Sequence, residues 1–237
     1  MELGIAGKVA LVTAASKGLG RASAQALSEE GASVVICARG EDALKEAAAG
    51  MPGDVHAVVA DVTRPEVPRQ LVDAAVERFG GLDILVANAG GPPPGRALDV
   101  DDDAVRAAVE ANLLTSVRLV RSAVPHMHAS GWGRICLISS YSVKQPIPTL
   151  ALSNVARTGL WAWAKTASAD LFADGITLNL ACPGPHATDR MKQLGGLGVH
   201  GDPADFGRIV AFLCSEPTRF VSGVALPVDG AAILGLL

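Results

Sequence analysis

The chain has 237 residues, of which 49% are hydrophobic and 19% charged, and its formal net charge at pH 7 is −4. This length and apolar content suit one domain with a substantial core, whereas the mildly acidic balance excludes the basic surface that nucleic-acid binding needs. Residues 1–7 lack a signal-peptide pattern, and no apolar run approaches the roughly 18 residues of a membrane helix, so we expect a cytoplasmic protein without a membrane partner.

Short runs rich in β-branched residues alternate with alanine-rich amphipathic stretches along the whole chain. The predicted strands cover residues 9–13, 33–38, 55–61, 82–88, 134–139, 176–181 and 224–228. Most are continuously apolar, which is typical of strands covered on both faces. The predicted helices cover residues 19–30, 42–49, 65–79, 102–128, 154–173 and 203–215. The alternation predicts a single α/β domain over residues 1–237, a doubly wound parallel sheet in a Rossmann-type three-layer sandwich.

The cysteines and histidines give no metal-ligand pattern. Cys37, Cys136, Cys182 and Cys214 are widely spaced, each lies in an apolar segment, and no Cys-x-x-Cys pair occurs. We therefore expect buried thiols in a reducing compartment and no metal site.

The first predicted strand leads into a glycine-containing loop that opens the first helix. Its residues are Thr13, Ala14, Ala15, Ser16, Lys17, Gly18, Leu19 and Gly20. Gly18 allows the backbone to approach a pyrophosphate, Gly20 allows close packing of helix on strand, and the helix N-terminus supplies free N–H donors. Because ligands of such sheets bind outside the carboxyl ends of the strands, the loop predicts a dinucleotide site.

The end of the second predicted strand bears on which dinucleotide is bound. An NAD-binding chain places an Asp or Glu there for the ribose hydroxyls, whereas this chain has Cys37-Ala38-Arg39. Arg39 and Lys17 supply two cations and no carboxylate, which favours a 2′-phosphate and hence NADP(H) over NAD(H). The alternative is that Arg39 lies on the surface and that Glu41 or Asp42 binds the ribose.

With these segments in order, the chain resembles the short-chain dehydrogenase/reductase family, particularly its 3-oxoacyl-[acyl-carrier-protein] reductase-like members, from Lys8 to about Ala231. Besides the glycine loop, the matching residues are Asp61-Val62, Asn88-Ala89-Gly90, Pro183-Gly184 with Thr188, Gly223 and Asp229-Gly230. The resemblance implies that Asp61 and Val62 lie by the adenine, that the backbone of residues 88–90 lines the coenzyme, and that Thr188 touches its nicotinamide or phosphates. Ala14 replaces the family's first glycine, so we expect a turn in backbone regions open to alanine.

The catalytic pattern of the family is altered. The resemblance assigns its relay asparagine to Asn112 and its carbonyl-polarising serine to Ser140, but Ser153 and Arg157 hold the positions of its tyrosine and lysine. A serine hydroxyl is shorter and far less acidic than a phenol, and arginine stays protonated. General acid catalysis typically raises a reaction rate by about 10²–10⁴-fold, so its loss leaves three hypotheses open. The protein is an oxidoreductase with this atypical set of residues, an enzyme of another nucleotide-dependent reaction, or a non-catalytic nucleotide-binding subunit.

Two other side chains are candidates for the proton donor. Tyr141, with Lys144 three residues later, follows Ser140; in extended backbone it would point away from a pocket that Ser140 faces, and the alternative is a loop aromatic. His186 follows Pro183-Gly184 and has a side chain suited to proton exchange near neutrality; its alternative is a solvent-facing loop histidine.

The segments around the expected substrate site predict an open pocket. Only fifteen positions separate Thr188 from Pro203, and the glycines among residues 195–198 disfavour a stable helix over the site. The facing run of residues 90–95 is stiff rather than helical. The resemblance further implies a homo-oligomer, a dimer or tetramer, with Trp161, Trp163 and the apolar tail 231–237 at subunit contacts.

Overall fold

The chain folds around one seven-stranded, all-parallel sheet. The computed structural model describes residues 1–195, 198 and 200–236. The order of the strands is β3-β2-β1-β4-β5-β6-β7, with β1 Val9–Val12, β2 Ser33–Ala38, β3 Val55–Val59, β4 Ile84–Ala87, β5 Gly133–Ile138, β6 Ile176–Pro183 and β7 Ala225–Val228. The helices are α1 Gly18–Glu29, α2 Glu41–Ala49, α3 Val67–Phe79, α4 Asp102–Val109, α5 Thr115–Ser130, α6 Ala151–Phe172, α7 Asp189–Gln193 and α8 Pro203–Leu213.

Helices cover both faces of the sheet and give it two cores. Successive strand residues point to opposite faces, so Leu11 and Val35 lie in the core beneath α3, α5 and α6. Their neighbours Val12 and Val34 lie in the core beneath α1, α2 and α8. Burial on both faces explains why the strand sequences are continuously apolar rather than alternating. The predicted doubly wound, three-layer α/β fold is confirmed.

All seven predicted strands and all six predicted helices are present, with bounds that differ by a few residues. The largest difference lies in the predicted helix over residues 102–128. A π-helical turn, Glu110–Leu114, separates α4 from α5, and such turns frequently mark functional positions in helices. The short helix α7 was not predicted.

From β1 the chain adds β2 and β3 toward one edge of the sheet. It then returns to the other side of β1 and adds β4 to β7 toward the opposite edge, so the direction of winding reverses between β1 and β4. At such a switch point the loops after the two strands separate and leave a crevice at the carboxyl edge. The loop after β1, the loop after β4 and the segment after β6 therefore meet at one edge. Among the helices in the described part of the chain, none combines the length and the apolar composition needed to cross a membrane.

Candidate functional site

The loops after β1 and β4 are fastened together by a small polar network. Thr13 donates its hydroxyl to the Asn88 carbonyl at 2.7 Å and accepts from the Asn88 backbone N–H at 2.8 Å. The Asn88 side chain donates to the Ala14 carbonyl at 3.2 Å. Thr13 is buried, so these bonds satisfy groups that would otherwise be costly to bury. The network fixes one wall of the crevice with two residues predicted to lie at the dinucleotide.

The two glycines of the first loop are needed for different reasons, Gly20 because of close approaches and Gly18 because of its left-handed backbone. A Cβ at Gly20 would lie 2.5 Å from the Ala14 oxygen and 2.7 Å from Asn88 Nδ2. Gly18 has φ +59°, and a Cβ there would contact Thr188 across the crevice at 3.7 Å. The N-terminus of α1 begins at Gly18, and its free N–H groups therefore face a narrow space bounded by backbone, as anion binding at a helix N-terminus requires.

Ala14 adopts a backbone conformation that alanine disfavours. Its φ is +48°, in the left-handed region, so the expectation that this turn stays in regions open to alanine is wrong. The hydrogen bond from Asn88 to its carbonyl and the bond from Ala15 N–H to the Cys37 carbonyl, 3.0 Å long, hold the turn in place. The turn geometry is that of a glycine loop although the glycine is missing.

Replacing Ala14 by Gly is expected to raise the free energy of unfolding by about 0.5–1 kcal/mol. Relief of the left-handed alanine is worth about 1–2 kcal/mol, and the added freedom of the unfolded chain offsets part of it. Thermal or urea unfolding measures the change. Ala15→Gly is the control: Ala15 is fully buried and is not in the left-handed region, so this change should destabilise by about 1 kcal/mol. If both variants were destabilised equally, the backbone of Ala14 would not be strained.

The ends of β2 and β3 bring a cation and a carboxylate together. Asp61 accepts hydrogen bonds from the Thr63 hydroxyl at 2.8 Å and from the Thr63 N–H at 3.1 Å. These bonds, followed by the charges of Arg39 and Arg64, hold the pKa of the Asp61 carboxyl below its ordinary value. Arg39 is exposed, and Val62 beside Asp61 is buried.

Lys17, the other predicted cation, lies immediately before α1. Its ammonium is 3.6 Å from the Asp189 carboxylate, and both side chains are largely exposed. Such an exposed pair contributes little to stability and can exchange partners readily. Lys17 is therefore free to contact a phosphate on the glycine loop.

The two predicted catalytic residues Asn112 and Arg157 are in direct contact. Arg157, on α6, donates from one guanidinium nitrogen to Asn112 Oδ1 at 3.1 Å and from another to the Ile138 carbonyl at 2.9 Å. Arg157 is 8% exposed, and burial lowers the pKa of its guanidinium to about 10. It stays protonated at neutral pH, so the position of the family's lysine holds a buried, fixed positive charge that joins α6, the π-helical turn and the end of β5.

The two predicted serines both precede Arg157 in the chain. Ser140 follows β5, is partly exposed, and accepts from the Ser142 N–H at 3.1 Å to begin a 3-10 turn, Tyr141–Val143. Ser153 is buried in the first turn of α6, one helical turn before Arg157. The structure thus places Ser140, Ser153, Arg157 and Asn112 on the elements that surround the end of β5.

Tyr141 does not have the environment of an acidic phenol. It begins the 3-10 turn rather than continuing an extended strand, so the expected alternation of side chains does not apply. Burial raises the pKa of its phenol, and the Asp229 carboxylate raises it further. Lys144 lies 5.3 Å from the centre of the Trp161 ring. This environment disfavours Tyr141 as a replacement for the family tyrosine.

His186 is part of the core, so the interpretation as a solvent-facing histidine is wrong. The side chain is 5% exposed and packs edge-on against Phe206 of α8, with 5.2 Å between ring centres. Its Nδ1 lies 3.1 Å from the Gly184 carbonyl oxygen. The ring anchors the segment after β6 to α8, and a role in proton transfer is disfavoured by this burial.

The segment after β6 crosses the crevice. Thr188 accepts from the Met191 N–H at 3.4 Å and caps α7, and Arg190 of α7 donates to the Pro92 carbonyl at 2.6 Å. Arg190 thus bridges α7 and the loop after β4, and the expectation of an open pocket stays a prediction. The helix ends before the glycines; Gly196 and Leu197 of that predicted glycine segment lie outside the described residues.

Sequence reasoning did not single out Arg190. The available signal was a basic residue two positions after Thr188, but nothing local indicated which element it would reach. Pro183-Gly184, by contrast, were predicted at the site: the Gly184 N–H bonds the Val228 carbonyl at 2.9 Å, and a Cβ on Gly184 would lie 2.6 Å from Asp229 Cα.

The C-terminal segment packs on the loop that follows Ser140. Gln145 donates to the Ala232 carbonyl at 3.2 Å and accepts from the Leu234 N–H at 2.8 Å. Leu234 and Leu236 remain exposed, whereas Trp161 packs partly against the core. Leu237 lies outside the described residues. Burial of the tail and of the tryptophans between subunits stays a prediction.

Comparisons with known proteins agree with this architecture. A family model described as enoyl-(acyl carrier protein) reductase matches residues 13–231. Dehydrogenase/reductase SDR family member 4 from Homo sapiens is 32% identical, covering 95% of this chain and 87% of that protein. An uncharacterized oxidoreductase from Methylorubrum extorquens is 34% identical over 94% of this chain and 97% of its own. L-sorbose reductase from Gluconobacter frateurii, solved in complex with NADPH and L-sorbose, has a TM-score of 0.93 and 31% identity, and all of both chains is covered.

A parallel sheet in this strand order, with a glycine loop opening α1 at the switch point, is typical of Rossmann-type dinucleotide-binding domains. Within that class, the chain belongs to the short-chain dehydrogenase/reductase family.

Proposed function

We propose that this protein is an NADP(H)-dependent oxidoreductase that interconverts a carbonyl compound and its alcohol, with Asn112, Ser140, Ser153 and Arg157 around the reacting centre. The observation that carries the proposal is the crevice at the N-terminus of α1. Gly20 packs closely on the loop after β1, Thr13 is hydrogen-bonded to Asn88, and Thr188 faces Gly18. A 3-oxoacyl thioester is one substrate of this kind, and other ketones fit the same chemistry.

The residues present fit a dinucleotide. The left-handed Gly18 begins α1, and the absence of a side chain at Gly20 lets the helix pack closely on the loop after β1. The free N–H groups at this helix N-terminus suit a pyrophosphate. The remaining contacts are proposed for Thr13, Ala15, Ser16, Leu19, Asp61, Val62, Asn88, Ala89, Gly90, Pro183, Gly184 and Thr188. Arg39 and Lys17 supply cations for a 2′-phosphate. The relative solved with NADPH supports this choice over NAD(H).

The chain's own residues would orient the substrate and hold charge. When bound, a nicotinamide coenzyme would provide hydride chemistry at the carbonyl carbon, and water would provide the proton that completes the alcohol. Ser140 would donate a hydrogen bond to the carbonyl oxygen. Arg157 lies one helical turn after Ser153 on α6 and keeps a fixed positive charge. This charge would stabilise negative charge that develops on the substrate carbonyl oxygen. Because no phenol lies at position 153, proton delivery is slower than in a complete tyrosine–lysine pair.

A second candidate function is nucleotide binding without catalysis. The observation that favours it is the commitment of the Arg157 guanidinium to Asn112 and to the Ile138 carbonyl. A cation fixed by such contacts could serve folding alone. In that case the protein would act as a subunit beside an active homologue.

One set of measurements separates the two functions. Calorimetric titration with NADPH and NADH is followed by absorbance assays with acetoacetyl thioesters, diketones and sugar ketones. Turnover supports the reductase; tight NADPH binding with no turnover of any ketone supports the binding subunit. Absence of heat with either coenzyme would contradict both.

Arg39→Ala is expected to weaken NADPH binding by about 10–100-fold and to leave NADH binding within a factor of two. A charge-assisted hydrogen bond to a phosphate is worth about 1.5–3 kcal/mol, and NADH lacks that phosphate. Arg64→Ala is the matched control, since Arg64 is also exposed and its charge also acts on Asp61. Equal weakening of both coenzymes by Arg39→Ala would contradict the assignment of Arg39 to the 2′-phosphate.

A further inference from the structure

A cavity with a largely apolar lining lies between the loop after β4 and α4. Its volume is about 470 Å³, and residues 90–94 form part of its lining. Helix α4 and the π-helical turn after it contribute four alanines, Ala104, Ala107, Ala108 and Ala111. Their spacing of three and four positions puts them on one side of the helix. This volume and an apolar wall with few polar groups are typical of small-molecule sites.

The polar group at one end of this wall is the amide of Asn112. Its side chain is 2% exposed and lines the cavity. Its Oδ1 accepts from Arg157 at 3.1 Å, and because a guanidinium can only donate, the amide must direct its N–H groups elsewhere. In the described part of the chain, Nδ2 donates to no protein group. The amide therefore suits a ligand that presents an acceptor oxygen at this end, such as a ketone.

The other end of the cavity carries negative charge. Asp99 and Asp101 line it, and both are exposed. One oxygen of Asp101 accepts from the Ala104 N–H at 2.8 Å, which leaves its second oxygen free. Neither Asp99 nor Asp101 forms an ion pair with a described residue, whereas Asp103 pairs with Arg106 at 2.7 Å. The two carboxylates are therefore available to a cation at the mouth of the cavity.

The separation of the two ends limits the length of a ligand that reaches both. Asp101 and Asn112 are eleven positions apart, which corresponds to roughly 15 Å along a helix. The two side chains and their contacts with the ligand take up part of this length. Roughly 8–10 Å is left between the acceptor oxygen and the cation of the ligand.

We propose that this cavity binds an elongated ketone that carries a positive charge at the end remote from its carbonyl, as a long-chain amino ketone does. The carbonyl oxygen would accept from Asn112, the alanines would contact the methylene chain, and the ammonium would lie by Asp99 and Asp101. The same carboxylates disfavour a substrate whose far end is an anion. The assignment of the ligand as a substrate rests on the proposed reductase function, whereas its binding does not.

Two ketones of the same shape separate the effect of charge from that of apolar burial. 8-(Trimethylammonio)octan-2-one has a fixed positive charge, and 9,9-dimethyldecan-2-one is its uncharged carbon counterpart. Both are titrated calorimetrically into the protein with NADP⁺ present, and the affinity of the cationic ketone is divided by that of the uncharged one. Because binding is measured, the test does not depend on turnover.

Replacing both Asp99 and Asp101 by Asn is expected to lower this ratio by about three- to tenfold. Asn at position 101 retains the helix cap, so α4 should be unaffected. Asp103→Asn is the matched control and should leave the ratio nearly unchanged, since Asp103 is also exposed on this helix but does not line the cavity. Ala107→Leu should weaken binding of both ketones by about fivefold or more, because the larger side chain fills part of the cavity.

Each outcome supports or overturns the inference. A ratio that survives the double substitution, or that falls equally in Asp103→Asn, would overturn it. Affinities that Ala107→Leu leaves unchanged would place the ketones outside the cavity and also overturn it. The expected changes in binding, found together with no NADPH oxidation by the cationic ketone, would support the site and count against the proposed reductase function. Oxidation of NADPH by other ketones, without the expected difference in binding, would support that function and overturn the site.

Discussion

Replacing Ser153 by Tyr together with Arg157 by Lys is expected to raise kcat for NADPH-dependent ketone reduction by about 100-fold. The two positions lie one turn apart on the same face of α6, and Arg157 already contacts Asn112. A phenol beside an ammonium supplies the general acid that this chain lacks, and such a group contributes about 10²–10⁴-fold. Steady-state rates with a diketone measure the gain.

Ser153→Phe with Arg157→Lys is the control for this change. It adds the same ring to the site without the hydroxyl, so the rate should stay near that of the natural chain. An equal gain with Phe would mean that packing, and not proton transfer, limits the natural protein. NADPH affinity and the melting temperature of each variant establish that the coenzyme site and the fold are retained.

Replacing Arg134 by Met is expected to lower the free energy of unfolding by about 3 kcal/mol. Arg134 is 2% exposed and donates to the carbonyls of Ser215, Gly133 and Gly175 at 2.9–3.1 Å and to the Glu216 carboxylate at 3.1 Å. Removal takes a donor from the buried Gly133 carbonyl and weakens the bonding of the other three acceptors, and a buried acceptor left without a donor costs about 1–3 kcal/mol. Because a chain of this size loses about 2–4 °C per kcal/mol, the melting temperature should fall by about 6–12 °C.

Arg219→Met provides the comparison for Arg134. Arg219 also approaches Glu216, at 3.8 Å, but its side chain is 70% exposed, so its loss should change stability by less than about 0.5 kcal/mol. Arg134 donates at the start of β5, at the edge opposite to the crevice. The NADPH affinity of the Arg134 variant, measured below its melting temperature, should therefore be unchanged. If both variants lost similar stability, burial would not explain the contribution of Arg134 to the free energy of unfolding.

Much of the candidate site could be anticipated because its residues follow strands. Thr13, Asn88 and Pro183 come directly after, or at the end of, apolar runs, and parallel strands bring their carboxyl ends to one edge. Asn112 and Arg157 could be placed only by resemblance, since a helix pattern shows neither the π-helical turn around Asn112 nor the contact between the two side chains. The burial of His186 depends on α8, which packs on it from elsewhere in the chain.

What the sequence by itself determined is the doubly wound sheet and the glycine loop at its switch point, because apolar periodicity and glycine positions are local properties that fix strands, helices and turns. What only the tertiary structure decided is which neutral groups the charged side chains contact. Arg190 and Pro92 are 98 positions apart, and Arg157 and Asn112 are 45 apart. Which group a long side chain contacts across a crevice depends on how the packed helices and strands are oriented. A local sequence pattern does not predict that orientation.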